Sequence, residues 1–141
     1  MSEDRDRGRS ERGFTLIELI VVLVILGLLA AVVVPNITKH LSKSKEQIAR
    51  IQIKELEGAL QMFAFDVGRY PTNSEGLEAL ASNPGNVEAW KGPYVSKALP
   101  MDPWGKPYVY RFPGTHGGEF DLLSLGPGGV EGQGEEIGNW K

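Results

Sequence analysis

Glu18 is a lone carboxylate inside an apolar run, 14–34, that holds no other charge. An acidic group near the middle of a membrane helix costs about 2.5–3.5 kcal/mol, and near an end it still needs a partner. Glu18 therefore either sits at an interface or waits for a cation from outside the segment. A second set of acids, Glu131, Glu135 and Glu136, lies in a glycine-rich stretch. Carboxylates and backbone carbonyls in a flexible loop are the donors that calcium favours. The same stretch, Gly126-Pro127-Gly128-Gly129-Val130-Glu131-Gly132, follows a strand-like run as a phosphate loop would. But no Lys-Ser/Thr follows, no helix opens after it, and the neighbouring acids repel phosphate. The two histidines, His40 and His116, belong to no nucleophile or metal-ligand pattern and read as solvated polar residues. With no catalytic constellation, an enzyme is not expected.

The elements that position these groups begin with the apolar run. Its 21 residues, as a helix rising about 1.5 Å per residue, span roughly 30 Å, the thickness of a bilayer's hydrocarbon core. Residues 1–13 before it are almost wholly polar, with Arg5, Arg7, Arg9 and Arg12 set against Glu3, Asp4, Asp6 and Glu11. Such a segment does not fold alone, and its arginines favour the cytoplasmic side of a membrane. A secretory signal would have a shorter apolar core followed by a small-residue cleavage site. Here Ala30-Ala31, the small-residue cluster at hand, lies within the run itself.

Pro35 follows and predicts a bend or a local opening of the helix, with Gly27 a second weak point. Beyond it a stripe at helical spacing, Ala49, Ile53, Leu56, Leu60, Phe63 and Val67, predicts an amphipathic helix with one face on a core. Gly68 is its expected stop. The reading is one long helix over 14–67, lipid-facing first and domain-facing second.

The remainder is rich in turns. The chain has 18 Gly and 9 Pro, crowded into its second half. Thr72, Asn73 and Ser74 are candidate caps for a short helix at Leu77-Glu78-Ala79-Leu80, which Asn83-Pro84-Gly85 ends. Asp102-Pro103-Trp104-Gly105 fits a type I turn. Runs at 108–112 and 120–125, joined by Pro-Gly-Thr-His-Gly-Gly, predict an antiparallel hairpin. The tail, 126–141, reads as irregular. At 141 residues there is room for one modest domain beside the apolar run. The net charge of −3, with Lys and Arg spread out, gives no nucleic-acid surface. There is no cysteine, hence no disulfide and no thiolate zinc site.

Gly13-Phe14-Thr15-Leu16-Ile17-Glu18, after a basic leader and before an unbroken apolar run, resembles the class III signal of type IV pilins and pseudopilins. The resemblance implies cleavage between Gly13 and Phe14 by a prepilin peptidase, N-methylation of Phe14, and a role for Glu18 in assembly. Gly68-Arg69-Tyr70-Pro71, Glu75-Gly76-Leu77-Glu78-Ala79-Leu80, Asp102-Pro103-Trp104-Gly105, Phe120-Asp121-Leu122, Ser124-Leu125-Gly126 and Ile137-Gly138-Asn139-Trp140 are similar to the G-type major pseudopilin of type II secretion systems. Adhesive pilins usually close this region with a disulfide, which this chain cannot form.

That resemblance implies an α+β, type IV pilin-like fold. The expected segments are a removable leader over 1–13, a membrane and filament-core half-helix over 14–35, an amphipathic half over 36–68 and a globular domain over 69–141. It implies a structural subunit of a periplasmic pseudopilus, anchored by one pass in the inner membrane with the leader cytoplasmic. Implied partners are further copies of the chain, the peptidase, an inner-membrane assembly platform and minor pseudopilins. It also implies a calcium site, with the Leu125 carbonyl and carboxylates in the loop after it. At the principal carboxylate position this chain has Gly128, which leaves Glu131, Glu135 and Glu136 as replacement ligands, or a solvated acidic tail without metal. Two other functions stand beside the pseudopilin: a type IV pilin for adhesion or motility, and a single-pass periplasmic binding module that never polymerises.

Overall fold

The computed structural model describes residues 12–96 and 98–141. The chain divides into two units, Met1–His40 and Leu41–Lys141. Helix α1 spans Leu16–Val67, 52 residues, and contains Pro35.

In the first unit α1 starts two residues later than the apolar pattern suggests, because Thr15 caps it. The Thr15 hydroxyl accepts from the Glu18 N–H at 3.2 Å, and the Thr15 carbonyl accepts from the Leu19 N–H at 3.2 Å. A threonine oxygen satisfies a first-turn N–H that has no partner within the helix. Phe14, expected as the first helical residue, lies outside. From Leu16 through Val34 the side chains are apolar on every face apart from Glu18, and all are exposed. A helix apolar all round belongs in lipid or inside a larger assembly. At Pro35 the missing N–H leaves a gap in the backbone ladder. Just beyond it, the Thr38 hydroxyl hydrogen-bonds the Val34 and Pro35 carbonyls at 3.3 and 2.9 Å.

The second unit is built on the stripe the sequence shows. Ala49, Ile53, Leu56, Leu60 and Phe63 are all buried, and Val67 packs at the edge. The helix ends as expected: Gly68 turns left-handed at φ 80°, and its N–H reaches the Ala64 carbonyl at 2.9 Å. Against the stripe lie Ala79, Leu80, Tyr108, Phe120, Leu122 and Ile137. Phe63 meets Tyr94 edge-on at 5.7 Å, and Tyr94 meets Trp90 in the same way at 5.7 Å. The Tyr94 hydroxyl then donates to Asp66 at 2.9 Å, fixing this layer to the helix. Truncating Leu60 or Phe63 to alanine in so dry a site costs about 2–5 kcal/mol.

Three short strands form one antiparallel sheet in the order β1 (Val109–Arg111), β2 (Asp121–Ser124), β3 (Ile137–Gly138). The hairpin pairs Val109 with Leu123, Tyr110 with Leu122 and Arg111 with Asp121. The strands are narrower than the 108–112 and 120–125 runs. The tail, expected to be irregular, contributes β3, pairing Leu123 with Gly138 and Ser124 with Ile137. Two residues are too few to show a period in sequence. The pairing is extended by Asn139, whose N–H donates to the Leu122 carbonyl at 3.0 Å while its side chain accepts from the Leu122 N–H at 3.1 Å and donates to the Phe120 carbonyl at 3.1 Å. At the other edge Asn73 treats Phe112 likewise, accepting its N–H at 2.8 Å and donating to its carbonyl at 2.6 Å.

Asn73 is therefore a sheet-edge residue and not a helix cap. The short helix at Leu77–Leu80 is a 3-10 turn entered through Gly76, without a side-chain cap. Thr72 instead accepts the Glu75 N–H at 3.3 Å. The type I turn closes as expected, with the Gly105 N–H on the Asp102 carbonyl at 3.0 Å.

Candidate functional site

Two places carry the residues singled out by type and spacing, one in each unit. In the first, Arg12, Gly13, Phe14 and Thr15 precede the helix. Phe14 is 89% exposed, and among the described residues none covers it. Among the described residues, a side chain built on Gly13 would meet nothing within 4 Å. Glu18 occupies the first turn of α1, where the helix's positive end favours a carboxylate. Residues 1–11 of the expected leader lie outside the described residues.

In the second unit the loop after β2 carries the expected calcium donors, and two of its three acids are already engaged within the chain. Arg111, on β1, holds both oxygens of Glu131: Nη1 to Oε1 at 2.6 Å and Nη2 to Oε2 at 2.5 Å. That fork holds the Glu131 carboxyl below the usual range and raises the guanidinium. Glu136 accepts the Gly132 N–H with its own carboxylate. Its backbone carbonyl accepts from the Lys141 ammonium at 3.1 Å. Glu135 lies elsewhere in the loop. A Cβ on Gly126, a residue at φ 72°, would overlap the Glu135 carbonyl oxygen, and a Cβ on Gly128 would come 2.5 Å from its Oε2. The space a side chain at 128 would enter is thus taken by Glu135. Among the described residues no three His, Asp or Glu side chains converge to hold a metal. The Arg111 guanidinium already pairs with Glu131 and the Gly132 N–H with Glu136, so the described carboxylates do not form the multi-carboxylate centre that calcium favours.

His116 is better placed than the sequence suggested. Its Nδ1 lies 2.9 Å from Asp121 Oδ2, and its ring stacks on Trp140 at 3.7 Å, nearly parallel. Burial pushes the Asp121 carboxyl up, but hydrogen bonds from Thr115 and His116 prevail and hold it at about 2. The Thr115 hydroxyl donates to Asp121 at 2.7 Å. This trio pins the β1–β2 connection. His40 is exposed on α1.

Sequence reasoning recognised Asp102 as a turn residue and missed its second role. Asp102 is buried; Oδ1 accepts the Trp104 and Lys106 N–H groups at 3.0 and 2.8 Å, and Oδ2 accepts the Ser124 hydroxyl at 2.7 Å. Ser124 Oγ in turn accepts the Gly126 N–H at 3.1 Å. The signal was an acid-led turn beside a strand ending in serine, which has no fixed spacing.

Comparison with known proteins covers both units. Residues 36–140 match the family described as type II secretion system (T2SS), protein G. Residues 8–34 match the prokaryotic N-terminal methylation motif. The chain is 47% identical over 138 residues to the type II secretion system core protein G of Pseudomonas aeruginosa, covering 94% of this chain and 96% of that one. It is 46% identical over 138 residues to the protein of the same name from Vibrio cholerae, covering 94% and 93%. The fold is similar to the crystal structure of the major pseudopilin from the type 2 secretion system of enterohaemorrhagic Escherichia coli. That match has a TM-score of 0.64 at 37% identity, covering 77% of this chain and 96% of that one.

Proposed function

The chain belongs to the type II secretion system protein G family, and from that premise we propose its route from membrane precursor to filament. The protein is a structural subunit of a type II secretion pseudopilus, with a pilin-like α+β fold and an apolar, membrane-anchoring N-terminal helix. The observation that carries the proposal is the order of its parts: a methylation motif over 8–34 runs directly into the protein G region over 36–140.

In the proposed route, residues 1–13 stay cytoplasmic and the domain is periplasmic. A prepilin peptidase cuts between Gly13 and Phe14 and methylates the new amino terminus. Cleavage places an ammonium at the positive end of a helix, where it is disfavoured, four residues before a carboxylate that is favoured there. In the membrane the two charges partly neutralise each other. In a filament of packed helices the Phe14 ammonium of an incoming subunit meets Glu18 of one already docked. Such a buried pair adds little net stability, since desolvation offsets much of its attraction. Removing one partner leaves the other buried and unpaired, at about 3–5 kcal/mol. Glu18 thereby checks register and admission more than it holds subunits together. The platform and minor pseudopilins provide the assembly point.

Intact-mass measurement after co-expression with a prepilin peptidase tests this reading. The expected product lacks residues 1–13 and carries one methyl group. A chain that keeps its leader in the presence of an active peptidase supports the non-polymerising anchor instead. Long surface fibres at ordinary expression support the adhesive pilin.

A further inference from the structure

We infer that the Arg111–Glu131 ion pair takes the place of a bound calcium ion, fastening the loop after β2 to the sheet by a side-chain clamp. The inference concerns the folded domain of one subunit and does not depend on polymerisation. A divalent ion in such a loop would neutralise its acids and tie backbone and carboxylate oxygens into one centre. Here each of those tasks falls to a residue of the chain. Arg111 supplies the positive charge from β1, opposite Asp121 in the sheet register. Its planar fork grips both Glu131 oxygens, at 2.6 and 2.5 Å, across 20 residues of sequence. Glu136 closes the loop's far side on the Gly132 N–H.

The loop is also shaped against the ion. Gly128 supplies no carboxylate, and an acidic side chain grafted there would start 2.5 Å from Glu135 Oε2. Two like charges would then compete for the same space. A chain so arranged holds its loop whether calcium is abundant or scarce, and its domain stability is uncoupled from that ion.

The test uses the full chain in detergent micelles, with hydrogen exchange read by mass spectrometry over 126–136 and, as a control, over the core stripe 49–63. Calcium chloride and EGTA are compared, in wild type and in Arg111→Gln, Glu131→Gln and the double variant. Wild-type exchange over 126–136 should be the same with calcium and with chelator. Each single variant should speed it by about two- to fivefold, the range set by an exposed ion pair, and the double variant should be no faster than either single one. The control segment should not change. Slower wild-type exchange in calcium overturns the inference, because the loop would then hold the ion. Single variants without effect, effects that add in the double variant, or acceleration shared equally by 49–63 overturn it as well.

Discussion

Ser124 donates its hydroxyl to Asp102 across 22 residues of sequence, at 2.7 Å, with both side chains buried. The bond joins the turn before β1 to the end of β2, and through Gly126 to the loop beyond. Deleting one partner from a buried hydrogen bond leaves the other unsatisfied, at about 1–3 kcal/mol. Ser124→Ala should therefore lower unfolding stability by about that amount. Ser124→Ala with a denaturation midpoint equal to wild type would show that water replaces the hydroxyl.

Processing should depend on the absence of a side chain at position 13. Among the described residues Gly13 has no steric neighbour, so intolerance of a side chain there would point to the proposed peptidase. Gly13→Leu should accumulate as uncut precursor in co-expression, read as intact mass. Normal maturation of that variant would move the junction elsewhere.

Glu18→Ala and Glu18→Gln precursors should insert and be cut after Gly13, yet form no filaments and support no secretion. Mixed with wild type they should incorporate poorly. Both outcomes are read by cross-linking and immunoblotting of subunit oligomers in the cell envelope and by assay of the secreted proteins. Wild-type assembly of Glu18→Ala would reduce the carboxylate to an interfacial residue that also benefits from the helix's positive end.

The acid limb of stability should be set partly by Glu75. Two hydrogen bonds from Arg69, at 2.7 and 2.8 Å, hold its carboxyl at about 2 against an ordinary 4.5, outweighing the opposing effect of burial. A depressed carboxyl stabilises the fold fully above its unfolded value and loses that contribution as pH falls through the folded one. Arg69→Gln should thus be less stable than wild type at neutral pH, and the gap should close between about pH 4.5 and 2. Thermal melts followed by tryptophan fluorescence across that range check it. A gap independent of pH would assign the loss to packing of the Arg69 stem.

The helical half was legible because burial and lipid exposure both write a long pattern. Ala49 through Val67 repeat at helical spacing over several turns, and each lands on or beside the core. Thr15 was harder to read, since a capping threonine looks like one more residue of an apolar run. β3 left no pattern at all: two residues carry no period, and their pairing is completed by an asparagine side chain that imitates backbone. Asn73 misled for the same reason, because a capping asparagine and a sheet-edge asparagine use the same amide. In the candidate calcium loop, spacing showed which acids were present but not that an arginine 20 residues earlier already held one of them. Such long-range pairs are set by tertiary fold, to which local composition is blind.

Thr15 caps α1 with its own hydroxyl and carbonyl, so the bonds that start the helix lie within residues 15–19. The groups that nucleate the first turn all lie on the retained side of the proposed cut. Removal of the leader should therefore ask for no refolding of α1, so that circular dichroism finds the same helix signal per molecule from residues 16–67 before and after the proposed cut. What the enzyme changes is electrical. On the proposed route one proton-bearing amine appears where a neutral amide had been, and that new charge is what a neighbouring subunit is proposed to read.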